Sequence, residues 1–253
     1  MIKQYLYSLA APKHFFSTTG RCLPYVGLIA FVALLVGFLW GLFFAPADYQ
    51  QGDAFRIIYI HVPAAFLSMS LYALMSVLAC LLLIWRIKIA GVLLPIVAQC
   101  GFSMAALALI TGSIWGKPMW GTWWIWDARL TSELLLGMLY IAILAIYHAV
   151  ANREQSERII AIISLVGMID LPIIHYSVYW WNTLHQGATL SLLEKPKIAP
   201  AMLYPLCCTL VGFSFFCAWV VLYKARFEVL WRERRQQWVM SYAKQVVNHV
   251  NMR

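Results

Sequence analysis

The 253 residues are 63% apolar and only 11% charged, against about 45–50% apolar and 25% charged in soluble domains, which excludes an ordinary water-soluble globule. The formal net charge of +9 says little about partners until the basic residues are placed relative to the apolar runs. The six cysteines form no C-x-x-C and no C-x-x-C-H, which excludes a thioredoxin-type redox pair and a cofactor tethered through cysteine; they read as small buried hydrophobes.

A spanning helix needs about 20 mainly apolar residues, and six stretches qualify: about 23–45, 62–85, 92–115, 130–150, 159–178 and 199–223. The first is followed by Ala45-Pro46-Ala47 but is longer than the apolar core of a signal peptide, about 7–15 residues, so it is expected to stay as a helix. Assigning Lys and Arg to alternate sides puts fourteen on one side: Lys3, Lys13, Arg21, Arg86, Lys88, Arg153, Arg158, Lys224, Arg226, Arg232, Arg234, Arg235, Lys244 and Arg253. The other side has five, Arg56, Lys117, Arg129, Lys195 and Lys197. The positive-inside rule then places both termini in the cytoplasm, and the basic balance is accounted for without nucleic acid. The fold expected is all-α, a polytopic membrane protein of six transmembrane helices. A membrane domain covers residues 1–223 and a basic cytoplasmic tail 224–253. The tail carries Phe227, Leu230, Trp231 and Trp238 among its cations, which suits a helix lying on an anionic leaflet.

Outward loops are expected at about 46–61, 116–129 and 179–198, and short charged inward ones at 86–91 and 151–158. The segment 115–129 holds Trp115, Trp120, Trp123, Trp124 and Trp126, five tryptophans within twelve positions. One account is an interfacial re-entrant segment, since indoles favour the headgroup level. Another starts from its Gly and Pro, which shape a loop, and from Lys117 and Arg129, which set cations beside flat aromatic faces. A large planar apolar ligand with carboxylates uses such a surface by stacking on indoles and by charge-assisted bonds from Arg. Haem is one such ligand. Its iron needs axial ligands, and His61, at the outer end of the second span, and His185, in the last outward loop, lie at matching depth on either side of the tryptophan segment. They are the candidate pair.

The other histidines fit less well. His14 and His249 fall in the termini, His148 at the inner end of the fourth span, and His175 near the outer end of the fifth. Asp170, two residues before Pro172 inside the fifth span, either caps backbone groups freed by a proline kink or serves a haem pocket. Glu133 suits a helix N-terminus as a favourable anion. Arg56 and Arg129 either face haem propionates or are solvated interfacial cations.

The run from Trp115 to Arg129, with a Trp-Gly start and a Trp-Trp-x-Trp-Asp-x-Arg end, resembles the tryptophan-rich WWD signature of haem-handling membrane proteins. With six spans, two outward histidines and this length, the whole chain resembles the shortest branch, the cytochrome c maturation protein C (CcmC) family. That resemblance implies non-covalent, transient binding of b-type haem on the periplasmic face of the bacterial inner membrane. It implies His61 and His185 as axial ligands to the haem iron. A platform of Trp115, Trp120, Trp123, Trp124, Trp126 and Asp127 follows from the same source, with Arg129 and Arg56 near the propionates. It also implies delivery to a haem chaperone similar to CcmE, whose own histidine bonds to a haem vinyl. The implied partners are ABC-transporter subunits like CcmA and CcmB and a small single-span subunit like CcmD. No G-x-x-x-x-G-K-[ST] occurs here, so any nucleotide hydrolysis belongs to a partner. A haem lyase or cytochrome c synthetase in the strict sense, and a b-type electron carrier, are the alternatives to a handling and transfer protein.

Overall fold

The structure is a computed structural model that describes residues 11–181, 183–185 and 198–251. Lys3, Lys195, Lys197 and Arg253 of the charge count, and the side chain of His249, lie outside the described residues. Every described element is helical. α1 (Pro12–Leu39) runs into a π-helical turn at Trp40–Phe44, and a 3-10 turn at Asp53–Ile57 leads into α2 (Ile58–Leu83). α3 (Lys88–Trp120) and α4 (Ala128–Ala149) follow. Then come α5 (Arg153–Gly167), α6 (Asp170–Trp180), α7 (Pro200–Arg232) and α8 (Gln237–Asn251). Six helical segments are long and apolar enough to cross a membrane, α5 and α6 together forming one of them.

The ends of these helices follow from local chemistry. Pro12 and Pro200 open α1 and α7, where the missing N–H costs nothing and the fixed φ already suits a helix. Gly121, at φ 76°, stops α3 in the left-handed conformation, which glycine adopts without a Cβ clash. Asp127 and Asn152 cap α4 and α5 by accepting from the N–H groups of Leu130 and Gln155, as short polar side chains at that position do.

α2 and α3 form the centre of the bundle, and their buried faces meet α4, α5 and α7 around Tyr72, Met75, Leu94, Val97, Leu136, Tyr140 and Ile143. α1 lies along α7, and most of its surface, including Leu28, Phe31 and Leu35, is exposed, as a lipid-facing helix requires. The two backbones meet at paired small residues. A Cβ on Gly37 would lie 2.8 Å from the Thr209 nitrogen, and one on Gly212 2.8 Å from the Leu34 nitrogen; small residues permit this kind of membrane helix contact. Interior hydroxyls tie helices together: Ser68 donates to Glu133 at 2.7 Å, Tyr140 to the Ser68 carbonyl at 2.7 Å, and Ser76 to the Ser164 carbonyl at 3.1 Å.

Three boundaries depart from expectation. α3 continues through Pro118 to Trp120, so the first part of the tryptophan segment is helix rather than loop. The fifth span is broken at Met168–Ile169, ahead of Pro172. Asp170 does not cap that break, because both its carboxylate oxygens are buried without a hydrogen-bond partner among the described residues. It lies among Tyr72 and Glu133, and Tyr72 is eleven residues beyond His61 on the same helix, about 16 Å deeper at 1.5 Å per residue. Finally, α7 carries on without interruption past Tyr223 to Arg232, where the guanidinium holds Glu157 at 2.5 Å and Glu228 at 2.7 Å. α8 then folds against the start of α1, with Trp238 and Tyr242 packed on Phe16.

Candidate haem-binding site

His61 sits in the first turn of α2, facing α3. Its Nδ1 is 3.1 Å from the Ala108 carbonyl and 3.1 Å from the Thr111 hydroxyl, which itself donates to the Leu107 carbonyl at 2.6 Å. A carbonyl can only accept, so Nδ1 carries the proton and the lone pair is on Nε2. Gly112 leaves room for this ring: a Cβ there would lie 2.9 Å from the His61 Cε1. One turn further along α3, Trp115 meets the imidazole edge-on at 5.6 Å between centroids. Its indole donates to Gln51 Oε1 at 2.9 Å, and Phe55 packs beside it. A small apolar cluster of Ala45, Phe55, Ile58, Tyr59, Met202 and Leu206 supports this corner.

His185 is held from the other side. Its Nδ1 is 3.2 Å from Asp127 Oδ2, and its backbone N–H donates to the Thr183 hydroxyl at 3.1 Å. Thr183 in turn donates a short bond to Asp127 Oδ2, while Asp127 Oδ1 accepts from the Leu130 N–H at 2.7 Å. One carboxylate therefore caps α4, fixes Thr183 and orients His185, again leaving the lone pair on Nε2. Carboxylates commonly set metal-binding histidines in this way. Trp120, at the end of α3, meets the His185 ring at 4.8 Å. The two histidines, from elements far apart in sequence, lie within electrostatic reach of each other and of Arg129.

Burial works to raise the Asp127 carboxyl, but the bonds from Thr183 and Leu130, followed by the His185 charge, outweigh it and hold the group below its ordinary value. Asp127 is therefore an anion at neutral pH. Burial and then the Arg129 charge lower His185 below the ordinary histidine value of 6.5, against the opposing pull of Asp127. Both effects favour the neutral imidazole, which is the form that ligates.

The remaining candidates separate clearly. Arg56 is engaged, with Asp53 at 2.9 Å and the Gly41 carbonyl at 2.8 Å. Arg129 lies near Asp127 and Glu133, yet among the described residues no carboxylate comes within 4.0 Å of it. Glu133 is buried against Ser68 rather than serving the N-terminus of α4; Asp127 has that task. Trp115 and Trp120 flank the two histidines. Trp123 and Trp126 are exposed, and Trp124 packs edge-on against Trp126 at 5.5 Å with its indole N–H buried and unpartnered among the described residues. The five indoles thus do not form one continuous platform. His175 is exposed on α6 beside Tyr176.

Gln51, Thr111 and Thr183 complete the site. Thr183, two residues before His185 in a loop, carries a weak local signal; Gln51 and Thr111 carry none. Among the described residues no group of three or more His, Cys, Asp or Glu could hold a metal ion. Two imidazoles are too few for a bare ion, but they suit an iron already held by four macrocycle nitrogens, as in haem.

The CcmC family model, described as Heme exporter protein C, matches residues 5–240. Heme exporter protein C of Escherichia coli K12 is 47% identical over 234 residues, covering 92% of this chain and 94% of the relative. The Haemophilus influenzae protein of the same name is 45% identical over 240 residues, covering 95% and 98%. That of Bradyrhizobium diazoefficiens is 40% identical over 236 residues, covering 93% and 89%. With a site of this form and similarity along nearly its whole length, the chain belongs to the Heme exporter protein C family.

Proposed function

We propose that the chain binds haem non-covalently and transiently between His61 and His185, on the periplasmic face of the bacterial inner membrane. It presents that haem to a periplasmic chaperone similar to CcmE during cytochrome c maturation. It works with ABC-transporter subunits like CcmA and CcmB and a single-span subunit like CcmD. The observation that carries this reading is the histidine pair: two imidazoles on separate elements, each fixed through Nδ1, with lone pairs on Nε2 at one end of the bundle. The excess of Lys and Arg at the opposite end supports an outward-facing site. The name shared by the relatives supports haem as the cargo.

When bound, haem supplies the iron that the imidazoles ligate and the vinyl group that the chaperone takes. This chain's residues hold and orient it. Trp115 and Trp120 wall the two ligands, and Asp127 keeps His185 in its ligating tautomer. Arg129, with no carboxylate within 4.0 Å among the described residues, is the cation for a propionate, whereas Arg56 fastens the 3-10 turn to the end of α1. Holding the cargo in a fixed pose at an open membrane face is itself a large contribution to a transfer step. A pair at one end, rather than pairs stacked through the bundle, fits handling better than electron transfer across it.

The test is haem content by pyridine haemochrome in protein purified from haem-replete cells. The parent is expected to carry haem. Arg129→Gln is expected to retain roughly tenfold less, the scale of one charge-assisted hydrogen bond, while Arg56→Gln changes retention little. A parent without haem, or equal losses in both variants, contradicts the reading.

A further inference from the structure

At the end of the bundle opposite the histidines, a cleft of about 350 Å³ opens between α3, α4, the start of α5 and α7. Arg153 and Lys224 supply its cations. The Arg153 guanidinium lies 4.6 Å over the Tyr147 ring, and the Lys224 ammonium donates to Gln99 Oε1 at 2.9 Å. Among the described residues neither has a carboxylate within 4.0 Å. The acid in the wall, Glu228, is already held by Arg232 at 2.7 Å. Two cations are therefore uncompensated, while Tyr223 and Phe227 stand exposed on α7 beside them at 59% and 69%.

Depth decides what such a cleft meets. Lys224 is 24 residues beyond Pro200 at the start of α7, about 36 Å along the axis. A hydrocarbon core of about 30 Å leaves it at the headgroup level of the second leaflet. Arg153, at the start of α5, lines the same cleft together with buried Pro95 and Ile96 of α3. This is also the end to which the charge count assigns fourteen of nineteen Lys and Arg, the side that faces anionic lipid.

We propose that this cleft binds the headgroup of an anionic phospholipid, its phosphate between Arg153 and Lys224 and its chains along Tyr223 and Phe227. Charge complementarity selects that occupant over a zwitterionic lipid. The lipid would brace α7 against α3 and α4 at the end away from the haem site.

Native mass spectrometry of the full chain, titrated with phosphatidylglycerol or phosphatidylcholine of identical chains, tests this. The parent is expected to retain one phosphatidylglycerol with roughly tenfold preference, from about fivefold per basic contact at a membrane surface less the loss to existing partners. Arg153→Gln and Lys224→Gln should each lower the preference by several fold, Lys224→Arg should keep it, and Lys88→Gln, at the same end of the bundle but outside the cleft, should leave it unchanged. Equal retention of both lipids by the parent overturns the proposal, as does an unchanged preference in Lys224→Gln or an equal loss in Lys88→Gln. Displacement of the lipid by millimolar inorganic phosphate would instead reveal a free-phosphate site and overturn it too. Should Arg153→Gln fail to fold, the Lys224→Gln and Lys224→Arg comparison still decides.

Discussion

Asp127→Asn is expected to lower haem retention by about 10–100-fold, the usual cost of losing the carboxylate behind a metal-bound histidine, while leaving α4 intact. The two consequences separate because Asp127 divides its oxygens between tasks: Oδ1 accepts from Leu130 and Oδ2 holds Thr183 and His185. Asparagine caps a helix as well as aspartate, but it lacks the charge that steadies His185 and offers one acceptor oxygen instead of two. Asp127→Ala removes the cap as well, at about 1 kcal/mol, and should unfold earlier in denaturant besides losing haem. Haem content and an unfolding midpoint, measured on both variants, check this. Full haem retention in Asp127→Asn would show that the carboxylate serves the fold alone.

Haem is expected to survive a fall in pH from neutral to 6.5 and to be released only below it. The sign follows from the competition at one lone pair, because a proton on Nε2 of His185 excludes the iron. His185 sits below the ordinary value of 6.5 through burial and the Arg129 charge, so the ligating form persists to lower pH than in a free imidazole, and bound iron extends that range further. Loss of Asp127 removes an influence that raises His185. Haem lost from Asp127→Asn at neutral pH therefore cannot come from protonation of the ligand, and must reflect lost orientation. Absorption spectra across a pH series follow the release. A midpoint above 6.5 would mean that His185 is not the group being protected.

The six spans were legible because a bilayer imposes length and apolarity on each helix separately. His61 and His185 were legible for a related reason: alternate sidedness places both at one depth, whatever the packing. The hydrogen bonds that orient them were not. Thr111 and Ala108 reach His61 only because α3 lies against α2, and Gln51 reaches Trp115 across 64 positions of sequence. Arg56 shows the limit from the other side. Its partner Asp53 is three residues away, yet the residues alone left both arginines open between propionates and solvent, and only the family resemblance put them near propionates. The proline kink expected near Asp170 falls at Met168–Ile169, because Pro172 has no N–H for the Met168 carbonyl four residues before it. The uneven exposure of the tryptophans is likewise a product of where α3 stops, at Gly121.

Ligation of one haem iron by two imidazoles is tested by the absorption and low-temperature electron paramagnetic resonance of the purified haem-bound chain, His61→Ala and His185→Ala, with and without added imidazole. Paired imidazoles give a six-coordinate low-spin spectrum in the parent. Each variant is expected to lose haem or convert to high spin, with imidazole restoring the low-spin form. Unchanged low-spin spectra and haem content in either variant would contradict that ligation.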